Sequence, residues 1–542
     1  MFRYRRHRAG LTWCAALCAA GGLSLRAHGQ CPEQWLSGVG TPGVNRFVTS
    51  LTPWDPDGAG PQHALLIVGG DFTLAGGMGV SRLAAYEPAT GGWATLGSAM
   101  GGLPHPFVYA LTPMTSGDLA AGGYFLVAGG SPASYIARWD GSAWHPLGAG
   151  MDAWVNALVP LPDGDLVAGG VFQNAGGVPA SFIARWDGTD WHAMGSGLDG
   201  VVYALAVTPG GGVIAGGGFF TAGGVPALDV ARWDGTSWTA IGDGLDGQVN
   251  ALTLLPSGEV VAGGSFTASA ATPLAHIARF DGTSWTPLDV GTNGTVSALA
   301  VRGQDLFAAG SFTEAGGVPA LRAAMWDGTT WHALGDGLDF NANALAVIPN
   351  GSVFTAGFFG HAGGAPASRI AEWGPSTVPT LTLQPGNTAV CTGSDAHLTV
   401  AAGGSPPLTY QWQAFDGAVW VDIGDGPVAG VGLASGATAA ELTISEPVSG
   451  ARLRAQVTNL CAGTFSDEAE ITVANCCDSL DFNNDTLSPD TADIDDFLSV
   501  FSGGTCSNDP SCGDIDFNND GFFPDTSDID SLLLVFSGGP CL

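Results

Sequence analysis

Apolar and polar residues alternate along most of this chain, in runs too short for helices. The segment 249–288 shows the pattern: "VNALTLLPSGEVVAGGSF", then "HIARFDGTSWTPL". Period-two alternation puts successive side chains on opposite faces of a strand. Pro-Ser-Gly joins the first two runs and Asp-Gly joins the last two, and both are hairpin signals. The segment therefore predicts four short antiparallel strands. A different strand pattern begins after a Pro-containing linker at 375–380 and continues to 474. Only beyond 475 does the period become helical. Ile494, Phe497, Leu498 and Phe501 stand at i, i+3, i+4 and i+7, and Ile529, Leu532, Leu533 and Phe536 repeat that spacing. The chain is thus expected to be mainly β, with a small α-helical C-terminal domain.

The four-strand unit recurs. Its third strand reads "ARWDG" or a close variant, with the first aromatic at Trp139, Trp186, Trp233, Phe280, Trp326 and Trp373, spaced by 46 or 47 residues. An earlier copy carries Tyr86 and Trp93 in the two aromatic places. Gly-Gly or Ala-Gly doublets end the second strand at Gly69, Gly129, Gly169, Gly216, Gly263, Ala309 and Ala356, which makes seven copies. A lone four-stranded blade cannot bury both faces, and radial stacking solves that. The last copy stops at "AEWGP" without a fourth strand. "EQWLSGVG" near the N-terminus matches the missing piece, so Trp35 is expected to complete the last blade. The prediction is a seven-bladed β-propeller over residues 30–374.

The order of glycine doublet, Tyr/Trp and second Trp resembles kelch repeats. "YEPATGGW" matches that order best. A kelch ring followed by an immunoglobulin-like domain is also similar in architecture to galactose-oxidase-type copper enzymes. Those need two Tyr and two His ligands and a Tyr–Cys crosslink. The ring has no Cys beyond Cys31, and His145, His192 and His332 fill one repeated position. The resemblance covers architecture alone, and no catalytic residue is assigned. Asp140, Asp187, Asp234, Asp281 and Asp327 are likewise one repeated hairpin position, expected to be turn residues. The Trp residues are expected to pack blades together. The "FTAGGVPA" loops are nearly identical between copies, where catalytic propellers carry unlike loops.

Residues 381–474 resemble a bacterial immunoglobulin-like domain. "LTYQWQ" matches strand C with Trp412 in the core, "AELTIS" strand E and "ARLRAQVTN" strand F. Leu398 and Ala455 stand where the usual inter-sheet cysteines would be. The resemblance to related bacterial domains implies a displaced bridge, Cys391–Cys461, from the start of strand B to the F–G loop. The domain is read as a spacer or adhesion module.

Residues 475–542 repeat internally. "DFNNDTLSPDTADIDDFLSVFSGGTC" and "DFNNDGFFPDTSDIDSLLLVFSGGPC" match at a constant offset of 35. Calcium takes six to eight oxygen ligands, from a loop with side-chain oxygens at places 1, 3 and 5 and a carbonyl at 7. Asp481, Asn483, Asp485 and Leu487 fit, as do Asp516, Asn518, Asp520 and Phe522. The closing acid comes one residue late in both copies, at Asp493 and Asp528. Those two acids are also placed to cap the helix N-termini. The tandem resembles type I dockerin domains, whose paired EF-hand-like units bind calcium and dock onto cohesin domains. That resemblance implies calcium and a cohesin-like protein partner. Cys477–Cys506 and Cys512–Cys541 are the bridges the register predicts. Cys31 and Cys476 remain, open between pairing with each other and intermolecular bonds.

Composition bears on location and partners. The first 29 residues read as a signal peptide, with a basic start, an apolar run and "AHG" before Gln30. The sixteen basic residues are all Arg, and no Lys exists to form a Schiff base or a P-loop. The whole chain has a formal net charge of −33, and losing five signal-segment Arg makes the mature chain more acidic still. That charge argues against nucleic acid and anionic membrane surfaces. Eight cysteines remain after the signal, an even number suited to an oxidising compartment. A secreted or cell-surface binding or scaffold protein is the expectation, with carbohydrate among its candidate ligands. The alternative is a carbohydrate-active or other extracellular enzyme carried by the dockerin-like tail.

Overall fold

A computed structural model describes residues 31–36, 43–58, 64–98, 100–391, 393–405, 408–459, 461–474, 491–502 and 526–536. Strand accounts for 51% of the described residues, with helix confined to two short segments, so the protein is mainly β. The chain divides into two compact units, one of them Glu33–Pro375.

That unit holds seven separate four-stranded antiparallel sheets. The first contains strands 48–54, 65–70, 83–87 and 92–94, and the next five repeat this order along the chain. The seventh contains 342–347, 353–357 and 370–375, and takes its outer strand from Glu33–Leu36. Trp35 then stands opposite Trp373, where the other sheets pair their two aromatics. No sheet closes on itself. The first strands of successive sheets neighbour one another instead, and strand 342–347 lies beside strand 48–54. The sheets therefore form a propeller-like ring.

Two repeated contacts hold the ring. One is an invariant Phe after each glycine doublet, which in the second sheet is Gly122–Gly123 at the strand end and not the pair expected at Gly129, which lies in a turn beyond the strand. Phe72, Phe125, Phe172, Phe219, Phe266, Phe312 and Phe359 are all fully buried, with strand residues of the preceding sheet around them. The other is an indole hydrogen bond between sheets. Trp191 Nε1 donates to the Leu147 carbonyl at 2.9 Å, and Trp144, Trp238, Trp285 and Trp331 make the same bond one sheet back. Trp35 does so to the Leu334 carbonyl at 2.7 Å. These tryptophans, all buried but the half-buried Trp35, staple sheet to sheet and offer no platform to a ligand between sheets.

The second unit includes Cys31, Pro32 and everything from Ser376. Residues 380–474 form a two-sheet sandwich. One sheet joins strands 388–391, 469–474, 451–458, 409–415 and 420–422, and the other joins 396–399, 441–445, 432–435 and 426–428. Trp412 is fully buried at its centre and donates to the Ala439 carbonyl at 2.9 Å. Leu398 and Ala455 fill the same core, where an inter-sheet cystine would otherwise sit.

The cysteine pairing differs from expectation. Cys461 bonds Cys31, across 430 residues, and not Cys391. Cys391 is itself disulfide-bonded, so it too has another partner. The backbone explains the difference. Strand 388–391 pairs in parallel with 469–474 and sets Cys391 beside Ala474, away from the turn that holds Cys461. Meanwhile Ser376 N–H donates to the Pro32 carbonyl at 2.9 Å and Asn459 Nδ2 donates to the Thr377 carbonyl at 2.8 Å, which brings residue 31 to the Cys461 turn. The cysteines at 476, 477, 506, 512 and 541 lie outside the described residues.

Two helices follow, α1 (Thr491–Phe501) and α2 (Thr526–Phe536), 35 residues apart in register. Phe497 and Leu532, from equivalent stripes, are both buried.

Candidate functional site

The two ends of the ring differ. One end carries the Asp-Gly turns. Asp140 Oδ1 accepts the N–H groups of Ser142 and Ala143, both at 2.8 Å. Asp187, Asp234, Asp281 and Asp327 make the same pair of bonds. The Ala143 N–H leads the contacts that hold the Asp140 carboxyl well below the usual range, and the Thr283 hydroxyl leads those that put Asp281 at about 2. His145, His192 and His332 each lie 2.6–2.8 Å from the turn Asp of their own sheet. These residues brace turns, one sheet at a time, and do not converge.

The other end carries the glycine doublets. A Cβ at Gly170 would lie 2.0 Å from the Trp154 carbonyl oxygen, and one at Gly70 would lie 2.1 Å from that of Phe47. Hence the second Gly is present in all seven copies, while the first gives way to Ala309 and Ala356. Next to these fixed residues the copies diverge. The residue before the first strand's apolar start is Phe47, Phe107, Trp154, Val201, Gln248, Thr295 or Asn341. The residue after the doublet is Asp71, Tyr124, Val171, Gly218, Ser265, Ser311 or Phe358. The residue entering the third strand is Arg82, Tyr135, Phe182, Asp229, His276, Arg322 or Arg369, and all seven have positive φ, from 59° to 78°. Non-glycine residues pay roughly 1 kcal/mol or more for that backbone. Two bonds impose it: Arg82 N–H donates to the Phe72 carbonyl, and the Arg82 carbonyl accepts from Gly70 N–H, and each copy repeats this. The backbone is fixed by the fold, and the side chain is free to differ. Sequence reading that looked at the uniform outer loops missed these columns. Stacking the seven copies residue by residue reveals them.

The divergence is not random around the ring. Sheets four to six carry mostly small or polar residues here, while the seventh and the first three carry aromatic rings. Phe107 stacks on Tyr109 (centroids 5.5 Å apart), Tyr109 meets Trp154 (6.3 Å), Trp154 meets Tyr124 edge-on (5.0 Å), and Tyr124 meets Tyr135 (6.3 Å). Trp154 is 41% exposed and the other four rings are half-buried. A second patch joins Phe47, Phe358 and Phe340, with Phe340 54% exposed. Between the patches Arg46 pairs with Asp71 at 3.1 Å, and Arg82 donates through Nε to the Pro106 carbonyl at 2.9 Å.

On the opposite arc, burial pushes the Asp229 carboxyl up to about 6, aided by the charges of Asp246 and Asp199 and opposed by the Phe219 N–H. A carboxyl raised in the folded state costs stability once ionised. The cost is full above about pH 6 and vanishes below the unfolded value near 4. Asp229→Asn is therefore expected to stabilise the ring at pH 8 by on the order of 1–2 kcal/mol more than at pH 4, after solvent screening. Asn suits the left-handed backbone at both pH values, so the difference between the two melting curves is the measurement. An equal gain at both would remove the burial argument.

Of the sequence-predicted calcium ligands, Asp481, Asn483, Asp485, Leu487, Asp516, Asn518, Asp520 and Phe522 lie outside the described residues, as does the side chain of Asp493. Asp528 is described: it stands in the first turn of α2 and is fully buried. Among the described residues no group of three or more His, Cys, Asp and Glu is placed to hold a metal ion, and no helix is long and apolar enough to cross a membrane.

Residues 161–186, within the third sheet, match a β-propeller domain of unknown function, DUF5122. No curated protein matches. Among solved structures, the extracellular domain of the putative hybrid two component system BT4673 from B. thetaiotaomicron is similar at 10% identity, over 82% of this chain and 60% of that one, with a TM-score of 0.40. The chain thus spans less than two thirds of that structure. A chimeric titin Z1Z2 is similar at 26% identity over 18% of this chain and 96% of its own, TM-score 0.15. The Ig1-2 module of the Drosophila receptor protein tyrosine phosphatase DLAR is similar at 20% identity over 18% and 48%, TM-score 0.15.

Proposed function

We propose that this is a secreted, non-catalytic binding protein: a seven-bladed β-propeller that holds its ligand at the doublet end, an immunoglobulin-like spacer, and a calcium-dependent C-terminal docking module. One observation carries the ligand-binding part. Seven near-copies that share their packing residues diverge in aligned columns at the doublet end, and there the ring's large exposed aromatic side chains collect. Packing alone gives no reason to keep Trp154 or Phe340 in water. The disulfide Cys31–Cys461 fits an oxidising compartment.

The ring is tested by retention of the full chain on immobilised extracellular polymers and proteins, comparing Trp154→Ala and Phe358→Ala with Ser257→Arg at the turn end. Retention on one such material should fall at least tenfold in the first two and stay unchanged in the third. Equal retention of all three would move the site elsewhere.

The docking part rests on the tandem register. The helices α1 and α2 keep the offset of 35 that the acidic loops have in the sequence. Asp528 is fully buried in the first turn of α2, where a carboxylate favours the positive end of the helix. Calcium bound by the paired loops would hold the helix starts and create the surface that a cohesin-like partner reads. Chelation should raise hydrogen exchange across 491–501 and 526–536 and abolish partner capture. Unchanged exchange would remove calcium from the account.

A further inference from the structure

The doublet end has a chemistry that narrows the ligand. The basic side chains between its patches are already engaged within the protein. Asp71 pairs with Arg46 and also accepts the Phe47 N–H at 3.1 Å, while the Arg82 guanidinium is turned onto the carbonyls of Pro106 and Phe72. The two arginines between the patches are thus held to acceptors of the protein itself, and an acidic ligand would in addition meet the strongly negative chain. The rings themselves are amphipathic. Among the described residues the hydroxyls of Tyr109, Tyr124 and Tyr135 make no hydrogen bond, although each ring is half-buried. Burial raises the pKa of Tyr109 and Tyr135, so both remain protonated donors over any physiological range.

A flat apolar face beside free hydroxyls suits a ligand with the same two surfaces. A pyranose ring offers C–H groups on its face and hydroxyls at its edge. Two aromatic patches separated by a polar stripe suit a chain of such rings, one stacked on each patch. Resting on the ring-end reading above, we infer that the doublet end binds an extended neutral glycan. Trp154 is its principal stacking residue in one patch, Phe47 and Phe358 form the second subsite, and the hydroxyls of Tyr124 and Tyr135 meet the sugar edge. Neighbouring rings are 5.0–6.3 Å apart in the first patch, in contact with one another, so a ligand lies over them and is not enclosed between them.

The test is affinity electrophoresis and glycan-array binding of the full chain. Neutral polysaccharides are run beside acidic ones such as polygalacturonate. The expected result is retardation by a neutral polysaccharide only. It falls at least tenfold in Trp154→Ala and about threefold in Tyr135→Phe, which keeps the ring and removes only the hydroxyl. Phe220→Ser is the control, since Phe220 is 72% exposed but belongs to neither patch; its retardation should equal wild type. Oligosaccharides long enough to cover both patches should bind at least tenfold tighter than single sugars. Binding to no neutral glycan, or to acidic polymers or proteins alone, overturns the glycan assignment and leaves the ring-end reading to its own test. Glycan binding that survives both Trp154→Ala and Phe47→Ala overturns both readings.

Discussion

Trp35→Ala is expected to cost the ring about 3 kcal/mol, the lower part of the range for removing a large aromatic side chain. Trp35 is half-buried, which limits the transfer term, but two contacts leave with it. Its ring packs edge-on against Trp373 at 5.4 Å. Its indole N–H donates to the Leu334 carbonyl at 2.7 Å, the bond that joins the seventh sheet to the sixth. Its strand, Glu33–Leu36, is the outer strand of a sheet whose other members lie more than 300 residues later. Glu33 on the same strand meets both guanidinium nitrogens of Arg302 and accepts from Trp373 Nε1. Trp35→Phe keeps the packing and removes the hydrogen bond, so it should cost only about 1 kcal/mol. Urea midpoints give the stabilities, and hydrogen exchange at 370–375 should rise more than at 201–207 on the far side of the ring. A Trp35→Ala protein within ~0.5 kcal/mol of wild type would mean that this strand does not secure the ring.

That strand was legible in the sequence because it is a displaced copy. "EQW" aligns with "TSW" in the complete units, and a sheet that ends at "AEWGP" lacks one strand. The staples were legible in part. Trp at a fixed place in each copy announces packing, but the indole bond to the preceding sheet depends on how sheets are rotated about the axis, and no residue pattern states that angle. The helix stripes were legible in part: Phe497 and Leu532 are buried as their spacing requires, while Leu498 and Leu533 of the same stripes are 41% and 46% exposed.

The doublet-end site was less legible for a physical reason. Repeat reading weights what recurs, and a binding surface in a ring of near-copies lies in what does not recur. Tyr135 and Asp229 look like unrelated residues before a strand. Only the shared positive φ shows that they occupy one position with a fixed backbone and different side chains. The cysteine pairing failed differently. Analogy with related sandwiches joins Cys391 to Cys461, whereas the actual pairing follows from strand order. The parallel edge strand carries Cys391 to Ala474, and hydrogen bonds from Ser376 and Asn459 bring Cys31 to Cys461.

Replacing Cys31 and Cys461 together by Ser is expected to cost about 4 kcal/mol, and the size depends on which loop the bond closes. Its sequence separation of 430 overstates that loop. In the folded ring Glu33 already stands opposite Pro375, so the ring short-circuits most of the intervening chain. What the bond then closes runs from residue 376 to 461, and a loop of roughly a hundred residues corresponds to ~4–5 kcal/mol in the chain-entropy account. Closing the full length instead would add only about 1–1.5 kcal/mol, because the cost grows as the logarithm. The sandwich should therefore take most of the loss. In the double Ser protein the urea midpoint followed by exchange at 409–415 and 451–458 should fall. Exchange at 370–375 should also rise, since residue 31 no longer anchors the chain two residues ahead of the closing strand. The strand itself still has Trp35 and the Glu33–Arg302 pair, so the ring should remain assembled. Loss of the ring with the sandwich intact would reverse the assignment, making the disulfide a clamp on the closing strand and only incidentally a staple of the sandwich.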